Sequence, residues 1–223
     1  MLILAIDTSA VASAALVTDD APESVLASFA TEDTRSHAEV LAPGIHAMLA
    51  SAGVTGQDVD ALVVGVGPGP FTGLRSGIAT ARTLAFVWGK PLHGLVSLDA
   101  MALEVAESTA AVSEFLVVTD ARRKEVYWAR YSLDDGQLPV LEDGPHVGFA
   151  SDLPALPAFG AGAGLYASVL QAHPDFAAEQ PDALYLGQFA LARLAAGHTL
   201  LDSTPLYLRE SDAQVPGPRK RAL

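Results

Sequence analysis

Apolar residues recur along the chain with two different periods, and the switches between them lay out its elements. Residues 2–6 are uniformly apolar, as in a strand buried on both faces. Residues 11–17 and 24–30 are rich in Val, Ala and Leu, and the turn-forming Asp19-Asp20-Ala21-Pro22 lies between them. Together these three stretches predict a meander. From Ser36 to Ala50 the period becomes helical, with Ala38, Leu41, Ala42, Ile45, Met48 and Leu49 on one face. Pro43 should kink that helix or mark a later start, and Gly53 should end it. Residues 61–66 predict a buried strand, Phe71 to Trp88 a long helix, 92–96 a strand and 98–107 a helix.

The pattern then restarts. Phe115 to Asp120 is an apolar strand ending in Asp, as Leu2 to Asp7 is. Arg122-Arg123-Lys124 makes a turn into a second strand, Glu125 to Tyr131, and a third is expected at 138–141. Helices are expected at 163–171 and 185–196. The second half reads as a degraded copy of the first, which predicts an α/β protein of two units, 1–108 and 109–223. The basic stretch Arg219-Lys220-Arg221 reads as a solvated terminus.

Half of the 223 residues are hydrophobic, enough for a core. A net charge of −13 disfavours autonomous binding to nucleic acid. With no Cys, disulfides, thiolate metal sites and a Cys nucleophile are excluded. The first residues lack a basic leader and no run of about 18 apolar residues occurs, so a cytoplasmic protein without a membrane span is expected.

Candidate chemistry begins with Gly65-Val66-Gly67-Pro68-Gly69-Pro70-Phe71-Thr72-Gly73, a glycine loop at a helix N-terminus. Such a loop can cradle phosphate. Here Pro70 breaks the dinucleotide fingerprint, no Lys supplies a Walker loop, and Pro68 and Pro70 remove two N–H donors. A rigid turn into the helix is the competing reading. Asp7-Thr8-Ser9 and Asp120 place carboxylates and hydroxyls at strand ends, as nucleotide-binding loops do, and turn capping would explain them equally well. No His pattern suits a metal and Gly-x-Ser-x-Gly is absent. The helix Phe71–Trp88 has only Arg75 and Arg82 as charges. Gly73, Gly77 and Ala81 form a small-residue stripe beside Leu74, Ile78 and Ala85. With so few charges it could meet its own sheet on one side and a second chain on the other, or be buried within the monomer.

Ile3 to Ser9, Arg35-Ser36-His37, Gly67-Pro68-Gly69-Pro70-Phe71-Thr72-Gly73-Leu74-Arg75, Asp120 to Tyr127 and Tyr207-Leu208-Arg209 together resemble the TsaB (YeaZ) family, in the right order over nearly the whole chain. Pro70 stands where that family more often has Ser. The resemblance implies tandem actin-like (ASKHA, ribonuclease H-like) subdomains, the second one reduced. It implies a part in forming threonylcarbamoyladenosine at position 37 of tRNAs reading codons that begin with A. The implied partners are the homologous catalytic subunit TsaD, in a heterodimer, and the ATPase TsaE, in a larger complex. Transfer RNA would be met mainly through the complex, and a homodimer could form without the partner. Catalytic relatives carry a His-x-x-x-His metal pair where Ser97 and Met101 stand here, so no metal, no cofactor and no catalysis of its own are expected. The expected partner surface is Ala38, Leu41, Ile45, Met48, Phe71, Leu74, Arg75, Ile78 and Arg82, the two arginines at its rim. Asp7, Thr8, Ser9 and Asp120 would be vestigial nucleotide contacts. The rivals are a self-sufficient actin-like ATPase or small-molecule kinase, using Gly160 to Gly164 as well, and a metallopeptidase.

Overall fold

A computed structural model describes residues 1–20, 24–31, 37–109, 112–134 and 138–209, with the side chains of His37 and Ala38 outside that description. The first half runs β1 (Leu2–Asp7), β2 (Ser13–Thr18), β3 (Val25–Ala30), α1 (His37–Ala52), β4 (Ala61–Gly65), α2 (Phe71–Trp88), β5 (Leu92–Leu95) and α3 (Ser97–Ser108). The second runs β6 (Glu114–Asp120), β7 (Glu125–Leu133), β8 (Pro139–Phe149), β9 (Pro157–Phe159), α4 (Ala161–Leu165), β10 (Gln171–Ala172) and α5 (Ala183–Ala195).

The two halves share one topology. The first sheet has the order β3-β2-β1-β4-β5 and the second β8-β7-β6-β9-β10. In each, the first strand pairs antiparallel with the second and parallel with the fourth. The duplication expected from the restarting pattern is therefore present. Reduction falls on the helices: a 3-10 turn at Ala150–Asp152 stands where α1 would be, and the five-residue α4 stands where α2 would be.

Packing interleaves the units. The side chains of α1 and α2 cover one face of the first sheet, with Leu41, Ile45, Met48, Leu74 and Ile78 among Leu4, Ile6, Leu16, Leu62 and Val64. The opposite face, Ile3, Ala5, Val17 and Val63, is covered by Leu186, Phe189 and Ala190 of α5 together with Ala100 and Leu103 of α3. Another face of α3, with Leu98, Met101 and Val105, packs on Phe115, Val117 and Tyr131 of the second sheet. Residues after 108 thus supply part of the cover of the first sheet, on the face they share with α3.

The sequence pattern and the structure part in three places. The third strand of the second unit, expected at 138–141, extends to Phe149. It is an edge strand that carries the exposed Glu142 and Asp143 and pairs with β7 across two register shifts, so the apolar alternation fades. The helix expected at 163–171 is the short α4, because the segment is glycine-rich and glycine costs about 1 kcal/mol in a helix. The later start considered at Pro43 is not taken: the proline lies inside α1 on its exposed side. The basic stretch at 219–221 and Arg35-Ser36 lie outside the described residues.

Candidate functional site

Two places in the fold bear on function: the cleft between the units and the outward face of α1 and α2.

The cleft forms where β1 and β6 end beside one another. It has a volume of about 400 Å3 and is bordered by Ser9, Pro70, Asp120, Arg122 and Gln180. Asp7 and Thr8, expected there from the sequence, are turned inward. Asp7 Oδ1 accepts hydrogen bonds from the Ser9 amide (2.8 Å) and Ser9 Oγ (2.6 Å), and Oδ2 accepts from Ser97 Oγ at 2.6 Å. The Gly67 amide in turn donates to Ser97 Oγ. Asp7 is fully buried, and burial pushes its pKa up to about 6 against the pull of these hydrogen bonds. Thr8 Oγ1 donates to the Gly73 carbonyl at 2.8 Å. Of the four suggested nucleotide contacts, only Ser9 and Asp120 border the cleft.

The glycine loop lets the chain approach itself closely. A Cβ on Gly65 would lie 1.8 Å from Asp7 Oδ2, and one on Gly69 2.7 Å from the Ser9 carbonyl oxygen. The small-residue stripe of α2 has the same origin: a Cβ on Gly77 would lie 2.2 Å from Thr8 Oγ1. The stripe serves the chain's own β1 loop.

Across the cleft, Arg122, Arg123 and Lys124 have φ of 64°, 56° and 66°, three consecutive left-handed residues without a glycine. Each costs about 1–2 kcal/mol. Arg122 donates its amide to Asp120 Oδ1 and pairs with the same carboxylate through its guanidinium. Arg209 holds the turn from behind, donating to the Ala121 carbonyl at 2.9 Å and pairing with Glu125. The sequence shows the turn but not its clamp, which arrives from a distant segment.

On the helices, the expected partner surface divides in two. Leu41, Ile45, Met48, Leu74 and Ile78 are buried in the chain's own core and are not available to a second chain. Helical periodicity identifies an apolar face without saying whose core it enters. Ala38 lies outside the described side chains. Phe71 is half-buried and meets Tyr207 edge-on, with ring centroids 4.8 Å apart. The exposed Arg75 lies over both rings, and its Nε donates to Tyr207 Oη at 3.0 Å. Arg82 donates to Ser203 Oγ and to the Ser203 carbonyl, both at 2.9 Å. Both arginines are therefore engaged with the chain's own C-terminal strap, residues 199–209.

The opposite side of these helices is exposed. It shows Ala42, Pro43, His46 and Ala47 on α1, and Ala79, Thr83, Phe86 and Val87 on α2. Phe86 is 89% exposed and Val87 66%. The missed signal is Phe86-Val87 itself: two large apolar residues off the buried stripe of α2.

Among the described residues no cluster of three or more His, Asp or Glu could hold a metal ion. Ser97 bonds Asp7, and Met101 is fully buried with its Sδ and Cε against Gly160. No described helix is long and apolar enough to cross a membrane.

Comparison with known proteins agrees with this architecture. Residues 24–146 match the sequence profile of TsaD, tRNA N6-adenosine threonylcarbamoyltransferase. An uncharacterised protein of Mycobacterium tuberculosis H37Rv is 41% identical over 212 residues, covering 95% of this chain and 93% of that protein. The tRNA threonylcarbamoyladenosine biosynthesis protein TsaB of Escherichia coli K12 is 37% identical over 135 residues, covering 60% of this chain and 57% of that protein. YeaZ from Pseudomonas aeruginosa superimposes with a TM-score of 0.75 at 27% identity, covering 93% of this chain and all of that one (100%). The chain belongs to the TsaD family, on its TsaB (YeaZ) side.

Proposed function

We propose that this protein is a non-catalytic subunit of the machinery that forms threonylcarbamoyladenosine at position 37 of tRNA. In this reading it binds a TsaD-type catalytic subunit through the outward face of α1 and α2, and a TsaE-type ATPase joins the pair. Transfer RNA is met mainly by the partners, since this chain carries a net charge of −13. The same face would pair two copies when the partner is absent.

The observation that carries the proposal is the exposure of Phe86 and Val87 on a two-helix surface whose neighbouring exposed residues are mostly alanine, proline and threonine. An aromatic residue so placed is the kind that dominates an interface. The non-catalytic part rests on Asp7, whose two oxygens are bound inside the fold, and on Ser97 and Met101 at the ligand positions. A self-sufficient ATPase would need a strand-end carboxylate facing the cleft. Asp120 is the one that borders it, and Arg122 pairs with it.

Phe86→Asp should weaken binding to TsaD by about 2 kcal/mol, or about thirtyfold, with the circular dichroism unchanged. Reconstituted modification should lose yield in parallel. Full affinity in the variant would remove this face from the interface. Equal product without the subunit would end the accessory reading.

A further inference from the structure

We propose that the pocket enclosed by α3, β8 and α5 binds a small α-amino acid, its carboxylate on Arg193 and its ammonium on Asp99. None of the pocket's lining residues belongs to α1 or α2, and its volume is about 240 Å3. Its two charged lining groups carry opposite signs and come from different helices. Asp99 stands in the first turn of α3 and Arg193 in the last turn of α5. The remaining wall is largely apolar, with Leu95, Leu141, Phe189 and Leu201.

Asp99 is 7% exposed. Its Oδ1 accepts a hydrogen bond from Tyr131 Oη at 2.8 Å, and Tyr131 is fully buried. Among the described residues no cation lies within ion-pair distance of this carboxylate, nor any carboxylate within that distance of Arg193. The guanidinium lies 5.9 Å from the Phe189 ring centre, stacked by its own helix and partly exposed. A buried carboxylate is ordinarily paired, because its desolvation is otherwise uncompensated. Here the two charges border one cavity without touching. A ligand that spans them must be short and dipolar. A guanidinium fork matches a carboxylate in bidentate fashion, and the Asp99 carboxylate, which accepts from Tyr131 Oη and from the Val96 backbone, keeps lone pairs to accept an ammonium proton. The apolar wall then receives a side chain of modest size, which the volume limits to about that of valine, threonine or leucine.

The charge state of Asp99 adds a second handle. Burial pushes its pKa up to about 7, opposed by the Tyr131 hydroxyl and by the field of Arg193. Tyr131 of β7 and Arg193 of α5 are the titratable or charged groups facing it, while the β8 wall offers Pro139, Val140 and Leu141. An ammonium ligand prefers the ionised carboxylate, so affinity should rise with pH through about 7.

The test is an amide NMR titration of the full chain with L-threonine and L-valine, beside the half-ligands propionate and isopropylamine. The expected result is saturable shifts at Leu95, Val96 and Leu201 with the amino acids, and binding at least about tenfold weaker for either half-ligand. Arg193→Met keeps an apolar stem in a partly exposed position and should lower amino-acid affinity at least about tenfold with the fold intact. Asp99→Asn keeps an oxygen for Tyr131 and should abolish the pH dependence. Absence of shifts up to about 10 mM of either amino acid overturns the proposal. So does equal binding of a half-ligand, or unchanged affinity in Arg193→Met. None of these readouts involves TsaD, so failure here leaves the subunit reading untouched.

Discussion

Asp7 is sealed inside the fold and Asp99 is 7% exposed at the wall of a pocket, and both have their pKa raised chiefly by burial, to about 6 and about 7. In the unfolded chain an aspartate titrates near 3.9. A raised pKa means that the folded state holds the proton more tightly, so the stability it contributes is complete below about pH 4 and is lost as pH rises through the folded values. Thermal denaturation followed from pH 5 to pH 8 should show a falling midpoint, and Asp99→Asn should flatten that slope. A midpoint that climbs over this range would contradict the burial argument. The sequence marks Asp7 as a strand-end carboxylate and even pairs it with Asp120. It does not show that Asp7 is sealed, because the sealing hydroxyl, Ser97 Oγ, is 90 residues away. Gly77 has the same history: a small residue on a helix is visible in the sequence, but the Thr8 side chain that makes it necessary is not.

At the level of elements, strands and helices follow directly from periodicity, and α2 has the bounds that the pattern predicts. The second unit is less legible, since its helices are short and its edge strand is polar on the exposed side. The least legible element is the C-terminal strap, which has no period. It is fastened stepwise: Leu201 bridges Gly94, the Leu206 amide donates to the Val66 carbonyl at 2.8 Å, Arg82 and Arg75 take Ser203 and Tyr207, and Arg209 reaches the β6–β7 turn. Reversing both Arg75 and Arg82 to Glu should loosen this strap from α2 while the core persists. Hydrogen exchange of residues 203–207 should accelerate by about tenfold, with little change in the melting midpoint. Unaltered exchange there would mean that the two arginines contribute little to holding the strap.

For the whole molecule, the duplication and the sharing of helices pull in different directions. Each unit repeats the same sheet, yet α5 from the second stretch covers the first sheet, and α3 packs on both. Burying a Leu or Phe side chain contributes about 1.5–3 kcal/mol. Removing Leu186 and Phe189 from the underside of the first sheet therefore costs a large share of a stability that is typically about 5–15 kcal/mol. A fragment ending at residue 108 should fail to give a cooperative melt and should bind a hydrophobic dye, whereas the full chain melts cooperatively. A folded, dye-silent fragment would show that α5 is dispensable to the first unit. During synthesis the same arrangement imposes a delay. The ribosome releases the whole first sheet early, but the cover of its α3-side face is completed only by residues 183–195, about 5–20 s later at ordinary elongation rates. Over that interval Ile3, Val17 and Val63 lie beneath a half-built domain, open to chaperones or to other nascent chains.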